Sequence, residues 1–210
     1  MLNKLKLSKN MTKLSILLIA LVFTISACST QNTSEQVAEE ETDTSHEDHQ
    51  EADNKTENTG PASPKRAAMD NIGTNHVHIE YSSPKVKGRV IWGGLVSYGE
   101  VWVTGAHKAT SINFPSAVTI EGNEIPAGKY ALFTIPGPEE WTIILNKNFD
   151  QHLADDYDQE LDVLRINVMP EALDETVEDL TYTVKSTEGN KGEISIAWEK
   201  IKVTFNIETI

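Results

Sequence analysis

From about Asp70 to the C-terminus, the apolar residues of this chain recur at every second position. Val77, Ile79 and Tyr81 alternate with His76, His78 and Glu80, and Trp141, Ile143 and Leu145 alternate around Thr142. Leu164, Ile166 and Val168 alternate with Arg165 and Asn167, and Leu180, Tyr182 and Val184 with Thr181 and Thr183. A period of two sends successive side chains to opposite faces of an extended strand, whereas an amphipathic helix needs a period of 3.6. The clearest runs come last: Ile194, Ile196 and Trp198, then Ile201, Val203, Phe205 and Ile207. Glu199-Lys200 between them is short enough for a tight hairpin, although it lacks the Gly or Asn that such turns favour. Turn signals such as Glu121-Gly122-Asn123, Pro126-Ala127-Gly128 and Pro136-Gly137-Pro138 recur about every ten residues. About nine or ten short strands with no long amphipathic helix predict an all-β fold over residues 65–210, an antiparallel β-sandwich or a jelly-roll-like barrel. Only Phe149–Tyr157 and Glu171–Leu180 read as brief helices or, equally, as loops.

The 64 residues before this region follow a different logic. Residues 1–28 carry Lys4, Lys6, Lys9 and Lys13 with no acid. Residues 29–60 hold ten acids against Lys55 alone, a net charge of −9, and residues 61–210 hold 22 acids and 13 bases, again −9. The total is −14, a balance that excludes a surface built to hold nucleic acid. Leu14 to Phe23 is an apolar run of ten residues. As a helix it would reach about 15 Å, half of a bilayer's hydrocarbon core, so it reads as a secretory signal over residues 1–27. Ile25-Ser26-Ala27-Cys28 follows and resembles the lipobox of bacterial lipoproteins, in which the cysteine is acylated; Cys28 is the only cysteine in the chain. Met11 serves as well as Met1 for the start of such a signal. Residues 28–64 then read as an acidic tether, too poor in apolar groups to offset chain entropy. The expectation is an exported protein, lipid-anchored through Cys28 to a bacterial membrane, outer membrane or cell surface, and with no nucleic-acid partner.

Several constellations could carry chemistry in the β region. His76, His78 and Glu80 fall at i, i+2 and i+4 of a strand and share one face, half of a site for a divalent metal such as zinc or copper, with His107 or His152 as the further ligand. Asp155 to Asp162 offers alternating carboxylates suited to calcium, but Leu161 stands where an EF-hand loop needs Gly. The tether's His46-Glu47-Asp48-His49 reads as a solvated polar run. Lys85, Lys87 and Arg89 form a cationic stripe that shares a face if extended, while Pro84 and Gly88 favour turns that would splay it. Trp92 and Trp102 flank a Gly-rich stretch and are the candidates for a ligand rim, whereas Trp141 and Trp198 are in phase with core positions. The chain has no G-x-S-x-G elbow, no phosphate-binding Gly-Lys-Ser/Thr loop and no H-E-x-x-H pair.

The order of several blocks resembles the bacterial family catalogued as domain of unknown function 2911. Tyr81-Ser82-Ser83-Pro84 leads into the run from Lys87 to Val96, then Tyr98-Gly99-Glu100-Val101-Trp102 into Thr104-Gly105-Ala106 and Ala109-Thr110. Ile125 to Tyr130, Leu132 to Pro136, Trp141-Thr142 and Asn146-Lys147 follow, so the resemblance covers roughly residues 64–207. It implies an exported β-rich domain with no established activity. The family tends to place arginine where this chain has Ser83 and Val103, and asparagine where it has His107; an anion site built on those arginines would be lost here. The leading functional expectation is a non-catalytic ligand-binding or interaction module of the cell envelope. The alternative is a metal-binding protein or metal-dependent enzyme of cupin-like type, using the face of His76, His78 and Glu80.

Overall fold

The computed structural model describes residues 63–210. Cys28, the apolar run before it and His46 and His49 lie outside the described residues. The alternating runs become strands of two antiparallel sheets. One has six strands in the order β1 (Lys65–Ile72), β2 (Asn75–Ser82), β3 (Ser111–Phe114), β6 (Gly128–Ile135), β7 (Trp141–Asn146) and β8 (Asp162–Val168). The other runs β5 (Asn123–Ile125), β4 (Val118–Ile120), β10 (Lys191–Thr209) and β9 (Glu171–Ser186). The sheets stay open, so the fold is a sandwich and not a closed barrel.

The facing sides carry the period-two residues. Val77, Ile79, Ile112, Leu132, Ile143 and Leu145 of the six-stranded sheet are fully buried, and Leu180, Ile194, Ile196, Phe205 and Ile207 meet them from the other sheet. At about 25 cal/mol per Å² of apolar surface removed from water, this layer is the principal stabilising term of a region with no cysteine of its own. Tryptophan closes one part of it. Trp92 lies 4.8 Å from Trp141 and 5.9 Å from Trp102 and from Trp198, and Trp102 stacks on Trp198 at 5.7 Å.

The hairpin expected at Glu199-Lys200 lies inside β10. Thr209 at its end donates its amide to the carbonyl of Asn190, 2.8 Å away, so the chain reverses between them. The pairing of β10 with β9 shifts register on both sides of Glu199, whose φ is 55°. A left-handed Glu thus does the work for which glycine or asparagine is usually chosen.

Glu171–Leu180, expected as a brief helix or a loop, forms the first ten residues of β9. Its composition misleads because β9 is an edge strand: Asp174, Glu175 and Glu178 are exposed, while Leu173 and Val177 are only half-buried. Backbone pairing of Ala172 with Ile201 and of Val177 with Glu199 makes the segment extended. Phe149–Tyr157 is irregular, and the one helical piece among the described residues is the single 3₁₀ turn Gln159–Leu161, capped by Asp158.

Candidate functional site

The outer face of the six-stranded sheet is covered over only part of its width, and the uncovered part is the candidate site. One row of residues crosses all six strands in register: Ala67, Glu80, Ser111, Ala131, Asn146 and Asp162. Over β6 and β7 the row disappears under cover. Ala131, Phe133 and Ile144 form a second apolar cluster with Val103 and Ala109, against which Tyr157 packs. The covering segment is pinned by polar bonds. Buried Asn146 donates to the Asp158 carbonyl and to Asp162 Oδ1, both at 2.8 Å, and accepts from the Asn148 amide. Tyr157 Oη donates to Asp162 Oδ2 at 2.7 Å, and Arg165 donates to the same oxygen at 2.8 Å. Burial, then the hydrogen bond to Asp162, pushes the Tyr157 phenol up to about 12. The loop after β2 is tied in by Thr104, whose hydroxyl donates to Thr134 and whose carbonyl accepts from Thr110 and from Tyr182.

The cover stops at β3. Beyond it, β1, β2 and β3 floor an open cleft of about 610 Å³ whose far wall is made by Lys108, Ala109, Phe149 and Asp150. Its charged groups alternate in sign. Lys129 donates to Glu80 at 2.8 Å and stands 5.5 Å from the centre of the Phe149 ring. Lys108 donates to Asp150 at 2.6 Å. The Lys129 hydrogen bond holds the Glu80 carboxyl below its ordinary range, with weaker pulls from His78 and Lys65. Asp150 is likewise held low, by Lys108 first and by Lys129 more distantly. The order along the cleft is therefore Lys65, Glu80, Lys129, Asp150, Lys108; Arg66 also lines it but pairs with Asp179 at 3.3 Å, which leaves three cations and two ionised carboxylates on a chain whose net charge is −14.

The residues singled out from the sequence fall in and around this site unevenly. His76, His78 and Glu80 share the outward side of β2, as the alternation requires, with the two imidazoles 6.1 Å apart. His76 Nδ1 lies 2.9 Å from Asn71 Oδ1, Glu80 is engaged by Lys129, and His78 Nε2 is buried with no partner among the described residues. His107, at φ 67°, and His152 belong to the covering loops, where Leu153 donates to the His107 carbonyl and His152 faces Asp155 at 3.1 Å. Among the described residues, no three His, Cys, Asp or Glu side chains come close enough together to hold one metal ion.

Lys85, Lys87 and Arg89 do not form an extended stripe. Lys87 and Gly88 are both left-handed, Lys85 pairs with Asp179 at 3.7 Å, and Arg89 folds back to donate to the carbonyls of Val86 and Lys85. Trp92 and Trp102 join Trp141 and Trp198 in one cluster as its half-buried members. Ser83 is buried and donates to the Leu180 carbonyl at 2.7 Å, and Val103 is buried under the cover. Of the cleft's charged groups, the sequence pattern singles out only Glu80. Lys65, Lys108, Lys129 and Asp150 are scattered over 86 positions and are brought together by strand register and by a loop fold that no local pattern encodes.

Compared with known protein families, residues 63–207 match the family described as "Protein of unknown function (DUF2911)". The match covers more than half of the chain and runs through every strand of the sandwich. No curated protein and no solved structure matches significantly.

Proposed function

We propose that this chain, which belongs to the DUF2911 family, is a non-catalytic ligand-binding module of the cell envelope, held at a bacterial membrane through Cys28. The observation that carries the reading is the cleft itself. The covered half of the sheet ends in a wall, and that wall and the open half enclose a cleft lined with charge. Pockets of several hundred Å³ with a few converging polar groups are where small ligands usually bind. The ion pairs in it do little for the fold, because exposed pairs contribute about 0–1 kcal/mol at most. The anchor rests on the lipobox-like Ile25-Ser26-Ala27-Cys28, and the acidic residues that follow would hold the domain off the membrane as a self-repelling spacer.

Purification from the native membrane tests both parts. The chain should begin at an acylated Cys28 in mass spectrometry and carry a co-purifying ligand that the Lys108→Ala, Lys129→Ala double variant loses. An unmodified start at Met1 or Met11 would contradict the anchor. Equal ligand content in the double variant would contradict the seat.

A further inference from the structure

The geometry points to a carboxylated carbohydrate, an oligosaccharide of uronic acid units, as the ligand of the cleft. This rests on the binding role proposed above and narrows it to a chemical class. Lys65, Lys129 and Lys108 are distributed along the cleft with a carboxylate between each neighbouring pair. A single compact anion would engage one lysine and leave the others idle, whereas acids repeated along a chain meet them in turn.

Glu80 and Asp150 are held in the ionised state by their lysines, so each can only accept hydrogen bonds. A polyphosphate or polysulfate brings negative charge and acceptors at every position and would be repelled by both. A uronic acid chain places hydroxyl donors between its carboxylates. Its acids answer the ammonium groups, and its hydroxyls answer Glu80 and Asp150 through charge-assisted bonds. The lysines are free to be shared: Lys108 and Asp150 are each about 70% exposed and Lys129 is more than a third exposed.

The apolar surface of the cleft fits a sugar ring as well. Phe149 is 39% exposed at the rim and contributes its ring to the wall, while Ala67 and Ala109 add small apolar patches of floor and wall. A pyranose presents a C–H face that packs on such surfaces while its polar edge stays directed at the charges. An acidic peptide also alternates acids with N–H donors, but it has no comparable flat face to offer Phe149.

Isothermal titration of the detergent-solubilised full chain decides the matter, with trimers of galacturonate and of mannuronate, the methyl ester of the galacturonate trimer, and triglutamate as probes. At least one uronate trimer should bind, and the esterified trimer should bind at least about tenfold more weakly, since it keeps the rings and loses the charge. Lys129→Ala should weaken uronate binding about tenfold or more and Phe149→Ala severalfold, with melting temperatures close to that of the parent chain. Triglutamate binding in place of the uronates, and lost in Lys129→Ala, would overturn the carbohydrate class and leave the cleft as a binding seat. No heat from any probe at about 10 mM would overturn the uronate class, and the binding seat itself then stands or falls with the co-purifying ligand of the Lys108→Ala, Lys129→Ala variant. Uronate binding unchanged in Lys129→Ala and Phe149→Ala would overturn the assignment to this cleft.

Discussion

The two halves of the six-stranded sheet's outer face make an instructive pair. Both present alternate residues of the same antiparallel ladder, and a single register row passes from one to the other. Over β6 and β7 the outward residues are Ala131, Phe133 and Ile144, so the chain must cover them, and it does so with Val103, Ala109 and the Asn146-pinned loop. Over β1, β2 and β3 the outward residues include Ala67, Glu80, Ser111 and Asn113, which need no cover. The apolar half was assembled for stability. The charged half stays open, and the edge of the cover becomes the wall of the cleft proposed above as the binding seat.

The largest expected effect that could break this contrast is on stability. Phe133→Ala removes a fully buried ring from the covered half and should cost about 3–5 kcal/mol, read as a lower denaturation midpoint. Lys129→Ala, four residues earlier on the same strand where β6 meets the cleft, should stay within about 0.5 kcal/mol of the parent chain. Comparable losses in both variants would show that the open half is also structural.

A smaller effect sharpens the same contrast through pH. Lysine partners depress the Glu80 and Asp150 carboxyls below their ordinary values of 4.5 and 3.8. A depressed folded-state value contributes stability that is present above the unfolded value and is lost as pH falls through the folded one. Between pH 7 and pH 5 these pairs should therefore leave the melting temperature nearly unchanged, and their loss should set in as pH falls below about 5. Glu80→Gln should melt slightly lower at pH 7 and close to the parent chain near pH 2. A Glu80→Gln difference that persists at pH 2 would trace the effect to packing and not to charge.

Much of the fold was legible from alternation alone, because each inward residue of a half-buried strand declares itself by polarity. Leu180, Tyr182 and Val184 mark β9 without ambiguity, yet Glu171 to Asp179 of the same strand do not, since an edge position asks for no apolar face. The hairpin at Glu199-Lys200 was legible from the spacing of Trp198 and Ile201 in spite of its unfavourable turn residues. The site was much less so. Glu80 stood out only through the period of β2, and its partner Lys129 lies 49 residues away on a strand that is not its immediate neighbour. A stripe such as Lys85, Lys87 and Arg89 looks like a site in one dimension and is dispersed by left-handed backbone in three.

The most direct test of the claim that the open half is the recognition surface is amide chemical-shift mapping of the labelled chain titrated with the galacturonate and mannuronate trimers. The account predicts that the amides of Ala67, Glu80, Ser111, Lys129 and Asp150 shift together in saturable fashion while those of Phe133, Ile144 and Trp92 hold still. Shifts centred on the tryptophan cluster or on the covered half, with the cleft amides unmoved, would contradict it.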